Sequence, residues 1–98
     1  MSKQKPIVKP KRRKVVFTLD ASQAREVFLV GDFNDWNEEK HPLKKNAKGV
    51  WEKIAMLFPG RYEYKFLIDG QWKRDPENPA TCYNCFGSRN SVINVSSK

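Results

Sequence analysis

From Lys14 onward the apolar residues fall in short runs with a two-residue period, the signature of half-buried β-strands rather than helices. In "VVFTL", Val15, Phe17 and Leu19 share one face and Val16 and Thr18 the other. "EVFLVG" (Glu26–Gly31) is a short β-branched and aromatic run ended by glycine. "GVWEKIAMLFPG" (Gly49–Gly60) reads as a strand bounded by glycine and Pro-Gly, with apolar residues on both faces. "RYEYKFLIDGQWKRD" (Arg61–Asp75) is the clearest unit. Tyr62, Tyr64, Phe66 and Ile68 alternate with Arg61, Glu63, Lys65 and Leu67. Asp69-Gly70 then predicts a two-residue hairpin turn, because a primed turn needs positive φ at both central positions. Gln71–Arg74 should return as a short strand. Asp75-Pro76 and Asn78-Pro79 break the ladder and open a long loop over residues 75–90, and "SVINV" (Ser91–Val95) is the last strand. No segment has a convincing helical period. Six or seven short strands in about 85 residues predict an all-β fold, a β-sandwich.

The chain has 98 residues, enough for one domain and too few for a two-lobed active site. A net charge of +8 suggests nucleic acid until its distribution is read. Seven of nineteen basic residues lie in the first fourteen positions, where there is no acid; the other twelve face eleven acids. The basicity belongs to a tail, residues 1–13, expected to be disordered and able to touch nucleic acid only non-specifically. The body, residues 14–98, is nearly neutral. No apolar run approaches the ~18 residues of a membrane span, and no secretory signal precedes the body. The expectation is a cytoplasmic protein, and a standalone one, since the chain starts at Met1 and ends soon after its last strand.

Catalytic chemistry is sparse. The single histidine, His41, sits in a polar loop, which argues against a His-rich metal site and a Ser-His-Asp triad. Asp32, Asp35, Asp69 and Asp75 occupy turn positions, where local hydrogen bonding explains them. Cys82 and Cys85 form one C-x-x-C without the second pair that zinc requires. Neither enzyme activity nor a metal nor a cofactor is expected.

Three tryptophans remain. Trp51 lies mid-strand and reads as core. Trp36 and Trp72 each close a turn, in "FNDW" and "DGQW". They form either an apolar rim capping the sandwich or an exposed pair of flat faces. A sugar ring rests its C–H face on an indole, and its hydroxyls want Lys, Asn and Gln. Lys65, Gln71 and Asn90 lie near enough in sequence to supply these. Stacked RNA bases would want the same set.

"VFLVGDFNDWN", "YEYKFLIDGQWKRDPENP" and "FGSRNSVINV" together resemble carbohydrate-binding module family 48 over residues 14–96. That family includes the glycogen-binding domain of the AMP-activated protein kinase beta subunit. It also includes the early-set domain at the N-terminus of isoamylases and branching enzymes. The resemblance implies an immunoglobulin-like sandwich of early-set type that binds glycogen or a related α-1,4-glucan without catalysis. Its two stacking tryptophans fall on Trp36 and Trp72, its hydrogen-bonding lysine on Lys65 and its asparagine on Asn90. A leucine and threonine of the kinase-subunit type are replaced by Phe86 and Ser88. The resemblance further implies that Phe33 tucks into the core while the Asn34–Asp35 turn holds Trp36 outward. The alternative is an interaction module that docks a glucan-processing enzyme, with the tail as tether.

Overall fold

The structure, a computed structural model, describes residues 11–97. Residues 1–10 of the expected tail lie outside the described residues. Among the described residues, eight strands form two antiparallel sheets, the sandwich that the alternating pattern implied. The first sheet holds β1 (Arg13–Asp20), β4 (Val50–Leu57) and β3 (Lys44–Lys45), in the order β1-β4-β3. The second holds β2 (Val27–Gly31), β5 (Gly60–Ile68), β8 (Arg89–Val95) and β7 (Thr81–Tyr83) in that order, with β6 (Gln71–Lys73) also paired to β5. The Asp69-Gly70 hairpin forms as expected, with φ of 47° and 83° at its two central residues. No helix among the described residues is long and apolar enough to cross a membrane.

Two elements differ from the pattern-based expectation. The stretch between Asp75 and Asn90 is not one loop, because Thr81–Tyr83 pairs with Arg89–Ser91 as β7. Lys44–Lys45 pairs with Trp51–Glu52 as β3. Neither segment alternates in polarity; each is a strand because a neighbour offers it a ladder.

The core lies between the sheets. Phe17 and Leu19 of β1 and Trp51, Ala55 and Leu57 of β4 face Val27 and Leu29 of β2 and Tyr64 and Phe66 of β5. Trp51 is therefore core, and its Nε1–H donates to the Ala21 carbonyl at 2.8 Å. Phe66, fully buried, alone contributes about 2–3 kcal/mol of apolar burial. The Phe17 ring meets Tyr64 edge-on at 5.0 Å and Phe33 at 5.7 Å. Phe33 thus packs on the core, as expected, and pins the loop after β2.

Gly31 makes that loop possible for a steric reason. A Cβ there would stand 2.5 Å from the Glu63 carbonyl oxygen and 2.7 Å from Tyr64 Cβ. We expect Gly31→Ala to cost about 1–3 kcal/mol by pushing β2 away from β5, read as a fall in the thermal midpoint of roughly 5–20 °C.

Candidate functional site

The outer face of the second sheet carries the site. On β5, Glu63 and Lys65 point away from the core because Tyr62, Tyr64 and Phe66 point into it. Trp72 pairs with Leu67 across the hairpin and so joins Lys65 and Glu63 on that outer face. Three loops close round them, after β2, at the β5–β6 hairpin and between β7 and β8.

The loop after β2 presents Trp36. Asp32–Asn34 make one 3-10 turn, which Asp35 leaves in the left-handed region at φ 55°, followed by Trp36 at φ 57°. Aspartate tolerates that region; tryptophan does not, at a cost of order 1 kcal/mol. The bonds that hold it there are specific. Trp36 N–H donates to the Gly31 carbonyl at 2.9 Å, and its Nε1–H donates to Asp32 Oδ1 at 2.9 Å. Asp32 Oδ2 in turn accepts the Glu63 N–H at 2.7 Å, which locks the loop to β5. Trp36 ends partly buried, neither sealed in the core nor fully exposed.

Beneath this loop lies buried Asn34. Its Oδ1 accepts the Gly31 N–H at 3.1 Å, and its Nδ2 donates to the Leu29 carbonyl at 2.9 Å. Those two partners fix the amide's orientation. Nδ2 must therefore also be the donor to His41 Nδ1, 2.8 Å away, and Nδ1 is the unprotonated ring nitrogen. Burial first, and then the charges of Lys53 and Lys40, lower the His41 pKa from its ordinary 6.5. The folded state therefore disfavours the proton. The stability from this group is complete above pH 6.5 and is lost as pH falls through that value towards the lower folded pKa. We expect the thermal midpoint of the wild type to fall more steeply between about pH 7.5 and 5 than that of His41→Gln, which has no proton to gain there.

The β7–β8 turn supplies the third wall, and Asn84 organises it. Its Oδ1 accepts the N–H groups of Phe86 at 2.9 Å and Ser88 at 3.2 Å. Its Nδ2 donates to Ser88 Oγ at 2.8 Å and Asn90 Oδ1 at 3.0 Å. Ser88 Oγ also accepts from Lys65 Nζ at 3.1 Å, and Asn90 Nδ2 donates to Glu63 Oε1 at 3.0 Å. One polar network thus runs from Glu63 through Asn90, Asn84 and Ser88 to Lys65. Hydrogen bonds from Cys82, Asn90 and Arg61 hold Glu63 below the usual carboxylate range, so it is an ionised acceptor. Bonding to Glu63 in turn raises the Cys82 pKa, so that sulfur stays a thiol; both cysteines are free.

Together these walls enclose an open cavity of about 650 Å3. All six residues expected from the sequence line it: Trp36, Trp72, Lys65, Asn90, Phe86 and Ser88. Trp72 is 47% exposed and Phe86, at the tip of its turn, 89%. Asn90 is only 6% exposed, and its carboxamide is bonded at both ends, so it orients its neighbours as much as it offers atoms to a ligand. Asp32, Glu63, Asn84 and Cys85 also line the cavity and were not expected there. Gln71 does not reach it; the alternation of β6 turns that side chain to the other side of the strand from Trp72. Chemically, the cavity offers flat aromatic faces beside neutral amides, a hydroxyl, one ammonium and two carboxylates, Asp32 and Glu63.

Residues 13–98 match the family model described as the glycogen recognition site of AMP-activated protein kinase. Protein FLOURY ENDOSPERM 6, chloroplastic, of Oryza sativa subsp. japonica is 33% identical over 82 residues, 84% of this chain and 15% of that protein. Protein PTST homolog 2, chloroplastic, of Arabidopsis thaliana is 39% identical over 75 residues, 76% of this chain and 14% of that protein. The human 5'-AMP-activated protein kinase subunit beta-1 is 38% identical over 71 residues, 72% of this chain and 25% of that protein. The chain therefore corresponds to a small part of each of these relatives.

Proposed function

Because the chain belongs to the glycogen-recognition family of AMP-activated protein kinase, we propose that its cavity holds an α-1,4-glucan, glycogen or a related chain, without chemical conversion. The observation that carries this reading is the pairing of Trp36 and Trp72 at one open cavity beside the amide and hydroxyl network of Asn84, Ser88 and Asn90. Glucose C–H faces stack on the indoles, and Phe86 adds apolar contact from the turn tip. Lys65 and Ser88 meet hydroxyls, with Asn90 holding the floor. In this reading the domain binds without catalysis, and the two carboxylates at the cavity, Asp32 and Glu63, are engaged by Trp36, the β5 backbone and Asn90. A shallow, open site of this kind should bind a short maltooligosaccharide at ~10–1000 μM, roughly 4–7 kcal/mol. We place the protein in the cytoplasm, a reducing compartment that suits two free thiols.

A second reading concerns the opposite face of the sandwich. Val16, Ile54 and Met56 of β1 and β4 are each about half exposed there, a surface on which a glucan-processing enzyme would dock. Native electrophoresis through glycogen tests both readings. Wild type should be retarded, and equally so from about 0.05 to 0.5 M salt, because stacking carries no net charge. Retardation that collapses with salt would assign binding to the basic N-terminal segment instead. No retardation at any salt would leave docking as the domain's role.

A further inference from the structure

The glucan site leaves a second concavity unused. It also measures about 650 Å3, and it lies between the β1–β2 turn, residues 20–24, and the β5–β6 hairpin, with Ile68, Asp69, Gln71 and Lys73 on the hairpin side. Trp72 borders both concavities and stands as a ridge between them. The strand parity that sets Trp72 on the outer face sets Gln71 and Lys73 opposite Ile68 and Phe66, on the second side of the ridge.

The walls of this second hollow are tied together before any ligand arrives. The Asp69 carboxylate accepts the Arg25 N–H at 3.0 Å and the Glu26 N–H at 2.9 Å, joining hairpin to turn. Behind the turn, Trp51 Nε1–H holds the Ala21 carbonyl and Lys45 Nζ holds the Ser22 carbonyl at 3.2 Å. The exposed side chains of Gln71 and Lys73, by contrast, make no hydrogen bond among the described residues. A carboxamide gives and accepts, and an ammonium gives, which is what hydroxyl groups need. Among the described lining residues one cation, Lys73, stands with two acids, Asp20 and Asp69, so the hollow favours a neutral polyhydroxyl ligand over an anion.

We propose that this hollow is a second glucose subsite, and that a glucan of sufficient length passes over Trp72 from the first concavity into it. The inference rests on the glucan reading above. Maltotetraose fills the first site; maltoheptaose extends into the second, where Gln71 and Lys73 bond its hydroxyls. The test is calorimetric titration of wild type and the double variant Gln71→Ala/Lys73→Ala with each sugar. The double variant should bind maltotetraose like wild type and lose about tenfold in affinity for maltoheptaose, the effect of one or two hydroxyl bonds. Equal affinities of the two proteins for maltoheptaose would overturn the second subsite and leave the first intact. Wild type binding neither sugar would overturn both. An independent reading on wild type covers a misfolded variant: maltoheptaose, but not maltotetraose, should shift the amide resonances of Ser22, Gln23 and Gln71. Shifts confined to Trp36, Lys65 and the residues 84–90 with both sugars would also overturn it.

Discussion

Replacing Trp72 with alanine will lower affinity for maltoheptaose by about 10–100-fold while leaving the thermal midpoint within a few degrees of wild type. The size follows from where the indole stands. It is half exposed on a three-residue strand, none of whose residues is buried, so its removal opens no core cavity. What disappears is the apolar plate, worth roughly 1–3 kcal/mol by comparison with other stacked aromatics. Trp72→Phe should recover part of the loss, because a smaller ring still offers a face. Calorimetric titration against both variants measures it. A Trp72→Ala protein that binds as wild type does, with an unchanged midpoint, would remove Trp72 from the site and leave the cavity without its stacking platform.

The second large effect falls on a residue that never meets the ligand. Asn34→Ala should destabilise the fold by about 2–4 kcal/mol, lowering the midpoint by roughly 10–25 °C. Three bonds are lost at once, to the Gly31 N–H, the Leu29 carbonyl and His41 Nδ1, and the first two partners sit on buried backbone that water does not reach. The same change releases the turn that forces Asp35 and Trp36 into the left-handed region. Affinity should therefore fall even in the fraction that remains folded, since Trp36 would have to be ordered by the sugar itself. Thermal denaturation and sugar titration at a temperature well below the midpoint separate the two losses. A midpoint within about 2 °C of wild type would show that the Asn34 bonds are not what holds the turn.

These two residues also mark what the sequence discloses. Trp36 and Trp72 could be read because bulky aromatics next to Asp, Asn and Gly are out of place in a turn unless they meet something. The long strands could be read because half-burial writes a period of two into them. β3 and β7 could not, since Lys44–Lys45 and Thr81–Tyr83 are held by a neighbour's backbone and not by an apolar face. Asn34 and Asn84 were invisible for a different reason. Asparagine in a loop has the composition of any turn, and only the fold reveals that one amide is buried and that the other joins three residues, Phe86, Ser88 and Asn90. The misplacement of Gln71 was avoidable. Adjacent residues of a strand point to opposite faces, so Gln71 and Trp72 were never candidates for one surface.

The unequal settings of the three indoles make the protein its own optical gauge. Trp51, buried and bonded through Nε1, will emit at short wavelength whatever the ligand does. Trp36 and Trp72 stand at the water boundary, and covering either with sugar replaces water at the ring, which moves emission to the blue. Occupancy of the cavity and intactness of the core can thus be followed in one spectrum, without a label, from two signals that shift in opposite directions when the chain unfolds and when it binds.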